Sequence, residues 1–313
     1  MNLKATNLMS DRRLFLKAAG VLAIGSILPQ WTGCKPLAYA AKFPPIGLQL
    51  YTLNFLLNTP NADTALVLKQ IADIGIKELE TATGGNGLYY GQKPKVFAKM
   101  AKDAGLTWIG NHIGGLPRNP PASVSATANA RPRFRNLRDN VQEIVDDAAE
   151  GGCGWVICSS SAISTMDEIK RTTEVFVKAG DLAASNNIKF AYHNHQSEFD
   201  PIEGVSAFDY VLKNTDKNKV FMELDLAWAT AAGQDPVALF AKYPGRFPLW
   251  HVKDLDKITG RPCPVGTGKV DFKNIFTNSK LSGVKHTFIE QDGAKTIEDP
   301  ASSVKWLKEN IYS

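Results

Sequence analysis

Nine residues with acid, base or metal-ligating side chains fall at or just beyond the ends of apolar, β-rich runs: Glu80, His112, His193, His195, Glu198, Asp225, His251, Lys253 and Glu290. Four of the chain's five histidines are in that set; the fifth, His286, stands at the entry of a run and is expected to be structural. Glu223 precedes Asp225 by two residues, on the same face of an extended run. A single residue of this kind is ordinarily a hydrogen-bonded rim group, so the weight lies in their convergence. Imidazoles mixed with carboxylates suit a divalent ion such as Mn²⁺, Zn²⁺ or Co²⁺ and argue against an ion that selects sulfur. Such an ion stabilises the charge that develops when a proton leaves the carbon next to a carbonyl. A base within hydrogen-bond reach, with a pKa near the working pH, completes the chemistry.

These side chains converge only if the runs are parallel strands ending on one rim. Strands are expected at Ile46–Tyr51, Lys77–Thr81, Thr107–His112, Trp155–Ser159, Lys189–His193, Val220–Asp225, Leu249–Asp254 and Thr287–Gln291. Between them, apolar residues recur at three- and four-residue spacing over Ala62–Ile74, Pro94–Ala104, Leu137–Glu150, Met166–Asn186 and Val205–Leu212, and Asp235-Pro236 opens a further helix. Gly75, Gly105 and Gly151 follow three of these helices, where left-handed caps favour glycine. Eight such units fit a single-domain (β/α)₈ TIM barrel, which typically needs about 250 residues. A doubly wound open sheet with a cap domain is the alternative, and the count of eight favours the barrel. The long connection Gly114–Arg135, rich in Pro, Asn, Ser and Ala, would lie on the active-site face as a lid.

The first forty residues read differently. A basic stretch with Arg12-Arg13-Leu14-Phe15-Leu16-Lys17, an apolar run from Ala18 to Leu28, and Ala38-Tyr39-Ala40 follow the order of a secretory signal, resembling the twin-arginine type. Residues 1–40 are therefore expected to be a signal peptide and residues 41–313 the barrel, with the export machinery as partner and a periplasmic or otherwise exported location. Lipid anchoring at Cys34 is the lesser alternative. The twin-arginine route carries folded proteins, and a metal loaded in the cytoplasm is a common reason to need it. Residues 1–40 hold five Lys and Arg against one Asp, leaving +1 of the chain's +5 for the rest. That balance gives little reason to expect a nucleic-acid partner. Cys153 and Cys158 read as core packing and Cys263 as a lone loop cysteine, with no zinc spacing among them. Gly266-Thr267-Gly268-Lys269 lacks phosphate-loop spacing and reads as a turn before a helix near Asp271.

The segments IGLQLYTL, GIKELE, FAYHNHQSEF, MELDLAWAT, YPGRFPLWHVKDL, VGTGKVDF and FIEQDG, in this order, resemble the sugar phosphate isomerase/epimerase family of xylose-isomerase-like TIM barrels. The resemblance implies one divalent ion held by acids from strands five, six and eight and a histidine from strand seven. Asp225, His251 and Glu290 match the last three. Strand five departs, reading His193-Asn194-His195 where many members carry a metal-binding Glu. Either Glu198 reaches back as the ligand, which is the preferred reading, or a histidine replaces the acid. Trp228 stands where ketose epimerases carry a substrate-binding His, which counts against simple ketose epimerisation.

The implied enzyme is a metal-dependent isomerase or epimerase acting through an enediolate on a non-phosphorylated sugar or derivative. Glu290, Glu198, His193 and His195 are its candidate bases, and Lys253 neutralises or protonates an oxygen of the intermediate. Glu80, His112 and Trp228 are its candidate substrate contacts. The same enolate could instead eliminate across a 3-keto-glycoside, making a lyase or hydratase. A catalytically inactive sugar-binding protein ranks below both, and a homo-oligomer is compatible with each.

Overall fold

The computed structural model describes residues 43–83, 88–116 and 135–313. The segment read as an export signal and most of the Gly114–Arg135 connection lie outside the described residues. Eight strands form the closed parallel barrel: β1 Ile46–Gln49, β2 Glu78–Thr81, β3 Thr107–Gly114, β4 Trp155–Ser160, β5 Lys189–His193, β6 Val220–Asp225, β7 Leu249–Val252 and β8 His286–Ile289. Each pairs with its sequence neighbours, and β8 closes on β1 with Ile46 opposite Thr287 and Leu48 opposite Ile289. This is the TIM barrel expected from the eight units. β3 runs on to Gly114, whereas β8 stops before Glu290 and leaves that acid just beyond the strand end.

Helices follow the strands: α1 Thr64–Asp73, α2 Pro94–Asp103, α3 Leu137–Gly151, α4 Met166–Ser185, α5 Ala207–Asn214, α6 Leu226–Ala231, α7 Pro236–Lys242, α8 Phe272–Thr277 and α9 Glu298–Asn310. Asp63, Asn136, Thr165 and Ser206 cap α1, α3, α4 and α5, each accepting the N–H three residues on. The helix expected from Val205 begins at Ala207, because Val205–Ser206 pairs with Pro201–Ile202. Gly151 is not a cap. It is the last residue of α3, where a Cβ would lie 2.3 Å from the Trp108 ring, and Gly152 takes the left-handed conformation at φ 72°.

Alternation along the strands sorts side chains into two cores. Trp155, Ile157, Ala191, Leu249 and Phe288 form an apolar cluster of their own, separate from the larger one that includes Phe97, Phe176, Phe190 and Phe240. Two residues past Ala191, Leu249 and Phe288 come His193, His251 and Glu290, and past Phe221 come Glu223 and then Asp225. The period of two thus turns an apolar barrel plug into a polar layer at the strand ends. Trp108, Trp155 and Trp250 are buried, as are the free thiols of Cys153 and Cys158, in keeping with core roles.

The glycine-rich turn serves Asp254 and not a phosphate. The buried Asp254 carboxylate accepts the N–H groups of Leu255, Gly266, Gly268 and Val270 at 2.9–3.1 Å. A Cβ on Gly268 would lie 2.2 Å from Asp254 Oδ1, so the turn closes this tightly only with glycine.

Candidate metal and catalytic site

Asp225 shows how the fold aims a ligand. It ends β6 and is also the N-cap of α6, accepting the Trp228 N–H on Oδ1 at 2.8 Å. Its own N–H is held by Asn194 Oδ1 at 3.2 Å. The cap fixes the carboxylate plane, and Oδ2 is left buried without a hydrogen-bond partner. An unsatisfied buried carboxylate oxygen costs about 1–3 kcal/mol or more, so its survival calls for an explanation such as an ion.

Around it stand His193, His251 and Glu290, all buried, with one donor atom from each of the four lying within 4.8 Å of the others. A second group, His112, His193, Glu223 and His251, satisfies the same limit and shares the two central histidines. Glu223 Oε2 is 2.7 Å from His112 Nε2, 3.0 Å from His193 Nδ1 and 3.1 Å from His251 Nε2. Glu80 pairs with His112 on one oxygen, where Gln49 Nε2 also donates at 2.9 Å, and meets His251 Nε2 at 3.2 Å on the other. His251 Nδ1 is turned to Glu290 Oε2 at 2.8 Å.

Lys253 brings an ammonium group into this cluster. Its Nζ lies 2.8 Å from Glu290 Oε2, 2.8 Å from Asp292 Oδ2 and 3.7 Å from Asp225 Oδ2, over the Trp228 ring at 5.1 Å. Burial opposes its charge, but Glu290, Asp225 and Asp292 outweigh burial and hold the ammonium protonated. Burial likewise opposes ionisation of Glu290, yet Lys253 and His251 keep its carboxyl well below the usual range. Burial raises Asp225 to about 6, against the pull of Lys253 and His251. His112 rises to about 9 despite burial, because Glu80 and Glu223 favour its charged form. At the rim, burial lowers His195, so its imidazole is neutral and able to accept a proton. Its ring centroid is 4.9 Å from His193 and 6.4 Å from Trp228.

The structure therefore brings together Glu80, His112, His193, Asp225, His251, Lys253 and Glu290, with His195 and Trp228 at the edge. Glu198 does not join them. Its Oε1 accepts from Tyr192 OH at 2.8 Å and its Oε2 from the His195 N–H at 2.9 Å and Ser197 Oγ at 3.3 Å. Tyr192 points to the opposite face of β5 from His193 and packs on Phe176 of α4, 4.6 Å between ring centroids, so Glu198 is tied away from the ligand groups. His286 sits at the far end of the barrel, with Nδ1 2.9 Å from Glu78 Oε2, in keeping with a structural role. Gln49, Glu223 and Asp292 are contributors the sequence reading did not select. Glu223 was signalled by its spacing from Asp225; Asp292, beyond a strand end, had no such signal.

The donor chemistry fits a divalent ion. Five carboxyls (Glu80, Glu223, Asp225, Glu290 and Asp292) face one lysine and three imidazoles, and the buried Asp225 Oδ2 has no hydrogen-bond partner, with Lys253 Nζ 3.7 Å away. His193, Asp225, His251 and Glu290 could hold the ion as an N₂O₂ set.

Comparison with known proteins agrees with this architecture. Residues 68–309 match the xylose isomerase-like TIM barrel family. An inosose dehydratase of Clostridium tetani is 26% identical over 176 residues, covering 49% of this chain and 58% of that one. One of Lacticaseibacillus casei is 27% identical over 151 residues, covering 42% and 50%. The chain thus spans about half the length of these curated relatives. The crystal structure of a sugar phosphate isomerase/epimerase from Parabacteroides distasonis superposes with a TM-score of 0.69 at 28% identity, over 87% of this chain and 96% of that one. With the closed barrel and the extent of the family match, the chain belongs to the xylose isomerase-like TIM barrel family.

Proposed function

We propose that the protein is a divalent-metal-dependent enzyme that removes a proton next to the carbonyl of a non-phosphorylated sugar or sugar-derived ketone, in the manner of an isomerase or epimerase. The observation that carries this reading is the buried set His193, Asp225, His251 and Glu290, with the Asp225 Oδ2 atom left without a hydrogen-bond partner. When bound, the ion would supply Lewis-acid stabilisation of negative charge on substrate oxygens. Mn²⁺, Zn²⁺ and Co²⁺ suit the set.

The side chains divide the remaining work. His195, neutral and half-buried at the rim, is the base that takes the proton, since Glu198 has both oxygens engaged and Glu290 is held by Lys253 and His251. Lys253, kept protonated by three carboxylates, balances charge on the developing oxyanion and can return a proton. Trp228, whose ring lies beside Lys253 and His195, offers an apolar face to a sugar ring. The export signal read in residues 1–40 supports a non-phosphorylated substrate, because sugar phosphates are mainly cytoplasmic.

A second reading, elimination of a β-substituent, shares the first step and is supported by the likeness to inosose dehydratases. Metal-loaded protein incubated in deuterated water with free ketoses, an inosose and 3-keto-glycosides separates the outcomes by proton NMR. Deuterium uptake with a new epimer or isomer supports the first reading, and loss of water or aglycone supports the second. No deuterium uptake from any of them leaves an inactive sugar-binding protein.

A further inference from the structure

One oxygen atom faces both histidines of the ligand set. Glu223 Oε2 is 3.0 Å from His193 Nδ1 and 3.1 Å from His251 Nε2, different ring nitrogens of the two residues. A carboxylate oxygen only accepts, so each of these nitrogens must carry its proton. The other nitrogen of each ring is then the one open to an ion. For His193 that is Nε2. For His251 it is Nδ1, which faces the Glu290 carboxylate and so carries a proton of its own until an ion replaces it, while Nε2 keeps its proton. Glu223 itself is fully buried and kept in place by His112, which bridges it to Glu80. Glu80 adds a second acceptor to His251 Nε2 at 3.2 Å.

We propose that Glu223 is a positioning residue that fixes His193 and His251 in opposite tautomers, so that the metal ion is ligated by His193 through Nε2 and by His251 through Nδ1. This rests on the metal-dependent reading of the site and adds its wiring. Glu223 touches neither ion nor substrate in this arrangement; it acts through the two imidazoles beneath which it lies. An acid partner of this kind orients a ligand ring and raises its basicity, and its loss typically weakens metal binding by about 10- to 100-fold.

The test is histidine ¹⁵N NMR on the Zn²⁺-loaded full chain, joined to metal affinity by chelator competition for wild type and Glu223→Gln. The expected spectrum holds one Nε2-ligated and one Nδ1-ligated imidazole, and the variant binds Zn²⁺ about 10- to 100-fold more weakly. Glu80→Gln, which removes only the auxiliary acceptor, gives a smaller loss and guards against a Glu223 variant that does not fold. Two imidazoles ligated through the same type of nitrogen overturn the proposal while leaving the metal-dependent reading intact. Zinc affinity unchanged in Glu223→Gln also overturns it, as does a second zinc retained when Asp225 is replaced by Ala, which would make Glu223 a ligand. Wild type that binds no zinc overturns the ligation proposed here, and wild type that binds none of Mn²⁺, Zn²⁺ and Co²⁺ overturns the metal-dependent reading as well.

Discussion

The two ends of the barrel use the same residue types for different ends. At the strand-start end, Glu78 of β2 meets His286 of β8 in one contact of 2.9 Å, with the histidine side chain 22% exposed. Two residues further along β2, Glu80 is fully buried among Gln49, His112 and His251. Four residues further along from His286, Glu290 faces His251 and Lys253. The apolar plug of Trp155, Ile157, Ala191, Leu249 and Phe288 lies on the strand positions between the two levels. At one end, partly in water, a Glu–His pair is a local tie. At the other, several acids are crowded around one lysine and three histidines, and the Asp225 Oδ2 atom keeps no hydrogen-bond partner, so the group could hold a further cation. The lesson is that depth and company, set by position along the strand, assign chemistry to a residue type.

The contrast can be broken by single substitutions. Removing the proton acceptor at the mouth should do most: His195→Gln is expected to lower deuterium exchange by about 10²- to 10⁴-fold, with metal content unchanged. Exchange near the wild-type rate would move the base elsewhere, Glu290 first. Lys253→Met is expected to cost about 10²- to 10³-fold in the same assay, the scale of losing one preorganised electrostatic partner. Metal retained with exchange lost places Lys253 in the chemistry; metal lost together with exchange would make it a support of the ligand set. At the opposite end, His286→Gln should leave exchange and metal content alone and lower stability by no more than about 1 kcal/mol in thermal unfolding. A large drop in exchange there would erase the distinction between the two ends.

Much of this was legible in the sequence, for physical reasons. Apolar β-rich runs separated by helical periodicity mark the strands, and β5 and β6 fall at their expected bounds, Lys189–His193 and Val220–Asp225. Strand-end placement pointed to Asp225, His251 and Glu290 because alternation carries such residues inward. What spacing could not show is where a loop turns. Glu198 is five residues past His193, close enough to reach the site, but the turn after β5 folds it onto Tyr192 and the chain's own amides. The depth of Glu223 was hidden in the same way. Its alternation with Asp225 was visible, yet only the barrel's stagger sets its carboxylate against three histidines at once.

The most direct test of the account is elemental analysis of the folded protein after loading with Mn²⁺, Zn²⁺ or Co²⁺, with wild type and Asp225→Ala compared side by side. The account predicts about one divalent ion per chain in wild type. It predicts loss in the variant beyond the roughly 10- to 100-fold weakening typical of an outer partner. A wild-type protein that takes up no ion, or a variant that holds it as tightly as wild type, would contradict the site.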